Sequence, residues 1–259
     1  MSDIAHNVLD LPLLSVSVRP IRVHYFPTLR STNDQAAEMR KLGLLYAPAM
    51  VLTPIQTAGR GRAGNRWFSS AGSITVTFAL PVEENLQPHQ LPLVAGLAVR
   101  NACAEMTQRR DIQLKWPNDV IYEGHKLAGL LCERILGVDL IGIGLNVNTA
   151  PADIPADVRL GMASLSLISG APHDLTRTLI LLTQHLQHAL LTRHSWTFAA
   201  FIQQYRQHDG LLGKLITVQP PGEPVAIRGT CEGIDTDGRL LLRSGPILHR
   251  IIAGSVTVL

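Results

Sequence analysis

Two rhythms of apolar residues run along the chain. Short continuous or alternating apolar runs predict strands at residues 21–26 (IRVHYF), 49–57 (AMVLTPIQT), 73–80 (SITVTFAL) and 111–116 (DIQLKW). Residues 118–135 (NDVIYEGHKLAGLLCERI) read as a hairpin turning at Glu123-Gly124-His125. Helical spacing lies between these runs. In residues 31–43 (STNDQAAEMRKLG), Thr32 stands three positions before Gln35, a capping-box spacing, and Gly43 can end the helix. Ala36, Met39 and Leu42 would share its inner side. From Leu91, the positions Val94, Ala95, Ala98, Ala102 and Met106 trace a wide buried stripe. Leu175, Leu179, Leu182, Leu186 and Leu190 mark another helix, and Phe198, Phe201, Ile202 and Tyr205 one more.

Residues 140–148 (LIGIGLNVN) alternate apolar residues with glycine, so a second backbone or a ligand can approach that strand closely. From Lys214 the chain changes to short strands with turn punctuation, and Asp237-Gly238 is a strong hairpin signal. So short a stretch buries little by itself, which predicts a small barrel docked on the main body. The expected organisation is an irregular N-terminal segment at 1–20, a main domain at 21–209 and a small β domain at 210–259.

Length and composition narrow the class. At 259 residues the chain suits one large domain or one plus a small one, and 46% hydrophobic residues suffice for a core. Charged residues are only 17%, which excludes a disordered chain. A net charge of +3 is too weak a field for nucleic-acid binding but suits small anions. The three cysteines, Cys103, Cys132 and Cys231, are far apart, and no CxxC pair exists. A reducing cytoplasm therefore fits better than a disulfide framework or a cysteine zinc site. No apolar run has the length of a membrane span, and the first residues, with Asp3 and Asp10, lack the basic start of a signal peptide.

Two motif matches are decoys. Gly59, Gly61 and Gly64 spell GxGxxG, but a strand-like segment follows where a dinucleotide-binding helix is required. His185 and His188 are spaced for one helix face, with no third metal ligand in view. Three polar clusters carry more. Ser31-Thr32-Asn33 sits at a strand-to-helix turn. Residues 56–67 (QTAGRGRAGNRW) interleave Arg60, Arg62 and Arg66 with glycines, offering backbone N–H groups and guanidinium forks to phosphate or carboxylate. Mutual repulsion among these arginines predicts a mobile loop that orders when an anion arrives. The third cluster is Lys115-Trp116-Pro117-Asn118-Asp119, with Lys126 across the hairpin and Asn146 and Asn148 on a neighbouring strand. Lysines supply point charges for phosphate, and Asn118 or Asp119 can approach a magnesium ion. The residue types fit nucleotidyl transfer, in which a carboxylate attacks the α-phosphate of ATP and pyrophosphate leaves.

At these residues the chain resembles the biotin–protein ligases. The resemblance runs from about His24 to the C-terminus and rests on five motifs in order: STN (31–33), QTAGRGRAGNRWFS (56–69), KWPNDV (115–120), KLAGLL (126–131) and IGIGLNVN (141–148). It implies an α+β fold, a mixed seven-stranded catalytic domain of the biotin/lipoate protein ligase type followed by a small SH3-like β-barrel. It implies formation of biotinyl-5′-AMP from biotin and ATP, with magnesium accompanying the nucleotide. The biotin then passes to one lysine of the biotin carboxyl carrier protein domain of acetyl-CoA carboxylase. On this resemblance Ser31, Thr32, Asn33, Gln56, Arg60, Gly61, Arg62, Lys126 and Gly129 bind biotin. Arg60, Arg62, Trp67, Lys115, Asn118 and Asn146 bind ATP or the adenylate. Lys126, Arg62 and Lys115 are the catalytic candidates, Lys126 first. No metal is expected on the protein alone, only magnesium brought by ATP near Asn118 and Asp119.

Some members of that family carry a DNA-binding domain before the STN segment. Here only 30 residues precede Ser31, without a helical pair, so a monofunctional cytoplasmic enzyme without DNA or membrane partners is expected. Asn65 stands where some members have another arginine, which leaves retention of the intermediate open. The choice between monomer and homodimer is also open. Three competing readings remain: a lipoate or octanoate ligase, a non-catalytic nucleic-acid binder, and a biotin-sensing regulator.

Overall fold

The computed structural model describes residues 6–150, 152, 155, 161–190 and 198–259. Its strands are β1 (Arg22–Tyr25), β2 (Ala49–Thr53), β3 (Ser73–Pro81), β4 (Gln113–Lys115), β5 (Asp119–Tyr122), β6 (His125–Ile135) and β7 (Val138–Asn146). They form one seven-stranded sheet in the order β1-β2-β3-β7-β6-β5-β4. Only β1 and β2 pair in parallel; the other neighbours are antiparallel. β3 and β7 are central and buried almost throughout, which matches their nearly unbroken apolar composition.

Helices cover the sheet. α1 (Leu11–Ser17) lies inside the segment expected to be irregular. Asp10 caps it by accepting from the Leu13 N–H at 2.9 Å, and a proline occupies its first turn. Residues 1–5 of that segment lie outside the described residues. α2 (Thr32–Lys41) crosses one face. α3 (Leu91–Thr107), α4 (Leu165–Ser169), α5 (Leu175–Leu190) and α6 (Phe198–Gln207) complete the main body. The leucine stripe of α5 and the α3 stripe share one core with Met50, Leu52, Val76, Phe78, Ile141 and Ile143. Each such side chain contributes ~1.5–3 kcal/mol by burial. A second, smaller core holds Ala36 and Met39 of α2 against Ala49, Val51, Ala79 and Leu140.

Two details of α2 differ from expectation. Its N-cap is Ser31, whose extended backbone (φ −156°) lets the hydroxyl accept from the Asp34 N–H; the Thr32 hydroxyl is turned elsewhere. Leu42 is the C-cap and is 65% exposed, because the helix ends before that position can face inward.

The C-terminal strands β8 (Leu215–Gln219), β9 (Ile227–Ile234), β10 (Leu240–Ser244), β11 (Ile247–Ile251) and β12 (Ser255–Val258) form a separate five-stranded antiparallel sheet, ordered β11-β10-β9-β8-β12. Its buried Ile216, Val218, Leu240 and Leu242 join the core of the main body. Trp116, 2% exposed, donates its indole N–H to the Gly238 carbonyl at 3.2 Å, and Gln90 donates to the Asp237 carbonyl at 3.1 Å. The Asp237-Gly238 turn is thereby docked beside β4, next to Lys115. No helix among the described residues is long and apolar enough to cross a membrane.

Candidate active site

On the sheet face that carries α2, the strands turn from apolar to small and polar residues. Thr77 of β3 pairs with Gly142 of β7, and Thr75 with Gly144; Gly129 and Leu131 of β6 flank them on the other side. The glycines leave room that other side chains occupy. A Cβ on Gly142 would collide with the Asn33 amide, and one on Gly144 with the Trp67 ring. The close approach expected at this strand is made by two side chains. A cavity of about 210 Å³ opens above it.

The α2 end of the cavity is a chain of neutral hydrogen bonds. Gln56 Oε1 accepts from the Thr32 N–H at 2.8 Å and from the Thr32 hydroxyl at 3.2 Å. Thr77 Oγ1 lies 2.8 Å from Thr32 Oγ1 and donates to Asn33 Oδ1 at 2.6 Å. The Asn33 amide then donates to the Leu131 carbonyl at 3.1 Å and to Glu133 at 2.9 Å. Ser31, Thr32 and Asn33 are each less than 5% exposed, and the polar groups of Thr32 and Asn33 are satisfied by Gln56, Thr77, Leu131 and Glu133.

The glycine–arginine segment is a small hairpin. Trp67 N–H donates to Gly59 O at 2.9 Å and Gly61 N–H to Asn65 O at 2.7 Å. Ala63 and Gly64 form the tip, both at positive φ (51° and 77°). The expected repulsion among arginines is relieved by partners from other segments. Arg60 pairs with Asp34 and with Glu133 (3.0 Å), and Arg62 donates to Oδ1 of the Asn118 side chain at 3.2 Å. The hairpin leads into β3, so the GxGxxG glycines serve no nucleotide-binding helix.

The third cluster forms the other end. Lys115 and Asp119 are paired in register where β4 meets β5, and the Lys126 ammonium lies 2.7 Å from the Asp119 carboxylate. Burial lowers the pKa of Lys115; Asp119 opposes that shift, while Lys126 and Lys214 add to it. Burial lowers the pKa of Arg62 too, again with Asp119 opposing. Three cations therefore share one carboxylate, a concentration of positive charge suited to an anion. Lys126 also lies 6.0 Å from the centre of the Trp67 ring. The Trp67 indole N–H is buried and has no hydrogen-bond partner among the described residues.

Ser31, Thr32, Asn33, Gln56, Arg60, Gly61, Arg62, Trp67, Lys115, Asn118, Lys126 and Gly129 all line this one cavity. Asn146 does not. Its amide donates to Ala163 O at 3.0 Å and Lys126 O at 3.4 Å, so it braces the strand that carries Lys126. The Arg60 guanidinium is given to two carboxylates and has none of the excess charge of Arg62. Asn118 and Asp119 are likewise engaged, with Arg62 and Lys126. Among the described residues no group of three acidic, histidine or cysteine side chains could hold a metal ion. His185 bonds Glu105 at 2.9 Å, outside the cavity.

Sequence reasoning missed Asp34, Glu133, Thr77 and the segment Gly254–Ser255–Val256, which lines the cavity from the start of β12. Glu133 continues the alternation Gly129–Leu131–Glu133, a signal that could have placed it on the cavity face. Nothing in the pattern of residues 254–256 marks them.

Comparison with known proteins agrees with this geometry. Residues 25–149 match the biotin/lipoate A/B protein ligase family. The biotin–acetyl-CoA-carboxylase ligase of Mycobacterium tuberculosis is 31% identical over 234 residues, covering 87% of this chain and 85% of that protein. The enzyme of the same name from Paracoccus denitrificans is 32% identical over 236 residues, covering 86% of this chain and 96% of that protein. The chain belongs to the biotin/lipoate A/B protein ligase family. Among solved structures, the biotin protein ligase of Aquifex aeolicus in complex with biotin and ATP superposes with a TM-score of 0.79 at 27% identity, covering 92% of this chain and 98% of that one. As in these ligases, the fold is a mixed-sheet domain followed by a small antiparallel β unit.

Proposed function

We propose that the chain is a biotin–protein ligase that activates biotin with ATP and transfers it to a lysine of a biotin carboxyl carrier domain of acetyl-CoA carboxylase. The observation that carries this reading is the two-ended cavity. Its neutral hydrogen-bond chain suits a neutral ring system, and its surplus cations suit a carboxylate and a phosphate.

In the first step, a biotin carboxylate oxygen attacks the α-phosphorus in line. The bond to the bridging oxygen of the β-phosphate breaks, and pyrophosphate leaves. Negative charge gathers between the two reactants, where Lys126, Lys115 and Arg62 neutralise it. Lys126 turns from Asp119 to the incoming anion. Trp67 packs near the nucleoside, and Asn118 orients Arg62. Asn118 and Asp119 would approach a magnesium ion brought by the nucleotide, which would supply neutralisation of phosphate charge. In the second step, the carrier lysine, having lost its proton, attacks the acyl carbon and AMP departs. The hairpin at 59–67 excludes water from the mixed anhydride. The free thiols of Cys103, Cys132 and Cys231 and the need for ATP fit a cytoplasmic enzyme.

Pyrophosphate release from ATP tests the reading, with biotin compared against lipoate, octanoate and no acid. Release that needs biotin is expected. Equal release with lipoate, or none with any acid, overturns it.

A further inference from the structure

We propose that Glu133 is a positioning residue that clasps the arginine hairpin to the α2 end of the cavity. The inference rests on the ligase reading for its kinetic consequences and on geometry alone for the clasp itself. Glu133 does not line the cavity. Its Oε2 accepts from the Asn33 amide at 2.9 Å, and its Oε1 accepts from the Arg60 guanidinium at 3.0 Å. On the far side of the same guanidinium is Asp34, the residue after Asn33 on α2. Asn33 is 4% exposed, its carbonyl oxygen taken by Thr77 and its amide by Leu131 O and Glu133. It cannot shift without breaking a bond. Glu133 thus ties the hairpin to the most rigid part of the site through one carboxylate.

The chemistry explains why a carboxylate stands there. An arginine facing an anion must leave its partner when the anion binds, so it is a poor anchor. Arg60 is held by two carboxylates, stays charged, and has no reason to release. Arg62, two residues on, is the guanidinium left for the ligand. The loop divides anchoring and anion binding between neighbouring arginines. Glu133 keeps the anchor in place while the acyl-adenylate waits for its lysine acceptor. It touches neither substrate, so its loss should spare formation of the adenylate and impair its retention.

The test compares wild type with Glu133→Gln. The variant keeps the shape of the side chain but accepts only one of the two bonds and carries no charge. Escape of biotinyl-adenylate in single-turnover trapping should rise on the order of tenfold, with the rate of pyrophosphate release and the KM for biotin within about twofold. Wild-type escape should increase with salt more steeply than the variant's, since the variant loses one of the two ion pairs of Arg60 and keeps the one to Asp34. Loss of pyrophosphate release with escape unchanged would assign Glu133 a general structural role and overturn the proposal. A second measurement needs no activity. Trypsin should cut after Arg60, Arg62 or Arg66 faster in the unliganded variant than in wild type. Equal cleavage overturns the clasp even if the ligase reading stands; faster cleavage supports the clasp even if wild type releases no pyrophosphate with biotin.

Discussion

At the α2 end of the cavity, Gln56, Thr32, Thr77 and Asn33 satisfy one another with neutral hydrogen bonds, whereas at the far end Arg62, Lys115 and Lys126 crowd around the single carboxylate of Asp119. The first arrangement is complete before any ligand comes, and its task is shape. The second is electrostatically incomplete, and its task is to be completed by an anion. A guest that suits both is neutral and rigid at one end and negatively charged at the other. The difference also separates the mutational signatures. Damage at the α2 end should appear in folding and in KM, and damage at the Asp119 end in the rate of the chemical step.

Lys126→Ala is the strongest test of that separation. Removing an ammonium group from the reacting end should lower adenylate formation on the order of a thousandfold. The urea midpoint should barely move, because the backbone bonds of residue 126 remain. Near wild-type pyrophosphate release in this variant would show that the charge cluster is not the reacting end. At the other end, Asn33→Ala removes the amide that joins Thr77, the Leu131 carbonyl and Glu133. A stability loss of about 2 kcal/mol is expected, with a raised KM for biotin. A lowered kcat at constant KM and constant stability would blur the contrast between the two ends.

Arg62→Gly belongs to the charged end but acts on the hairpin as well. Escape of the intermediate should increase by tens of fold, on the scale of a lost charge-assisted hydrogen bond, as seen by trapping in solution. A smaller and subtler effect concerns pH. Lys115 works as a cation, and burial lowers its pKa, so the first step should lose rate on the alkaline side at a pH below the ~10.4 of a free lysine. Lys115→Arg should move that limb upward, and an unmoved limb would assign it to another group.

The smallest effect lies outside the site. Asp209 follows α6 at the junction of the two sheets, and burial raises its pKa above the usual carboxylate range. Its Oδ1 accepts from the Leu211 N–H at 2.9 Å, while Oδ2 is buried without a hydrogen-bond partner among the described residues. With the folded pKa above the unfolded one, the folded state binds more protons in that window, so stability falls as pH rises through it. Asp209→Asn should flatten that slope, by about 1 kcal/mol between pH 4 and 7. Urea midpoints at three pH values would measure it, and an equal slope in both proteins would remove Asp209 from the account.

Much of this was legible in the residues, and the parts that were not have physical reasons. Periodicity located β3, α3 and α5, because burial on a regular element imposes a regular pattern. The five motifs brought one cavity together because ligand-facing groups need unusual residue types. Periodicity passed over α1, whose apolar residues are half on the outside: Leu13 and Val16 are 47% and 63% exposed. The signal that would have found it was the Asp10 cap with Pro12. The resemblance put Asn146 with the nucleotide, while its amide in the structure braces the strand that carries Lys126; the two roles look alike in one dimension. The alternation of β6 could have placed Glu133 on a face but not beside its partners, and Ser255 carried no signal at all, for a third reason. Their roles depend on which distant segment lies opposite, and that is decided by sheet order and by docking of the C-terminal unit.

The glycines of β7 carry a warning for anyone seeking a more heat-resistant form of this protein. Glycine inside a strand is destabilising by roughly 0.5–1 kcal/mol relative to alanine, so Gly142 and Gly144, in a central strand of the larger sheet, are attractive targets for consensus or propensity-guided hardening. The volume such a methyl group would fill already belongs to Asn33 and Trp67. Strand propensity alone would mark these positions as free improvements, yet an added methyl group there would displace Asn33 or Trp67 and damage the cavity and the packing beneath it together.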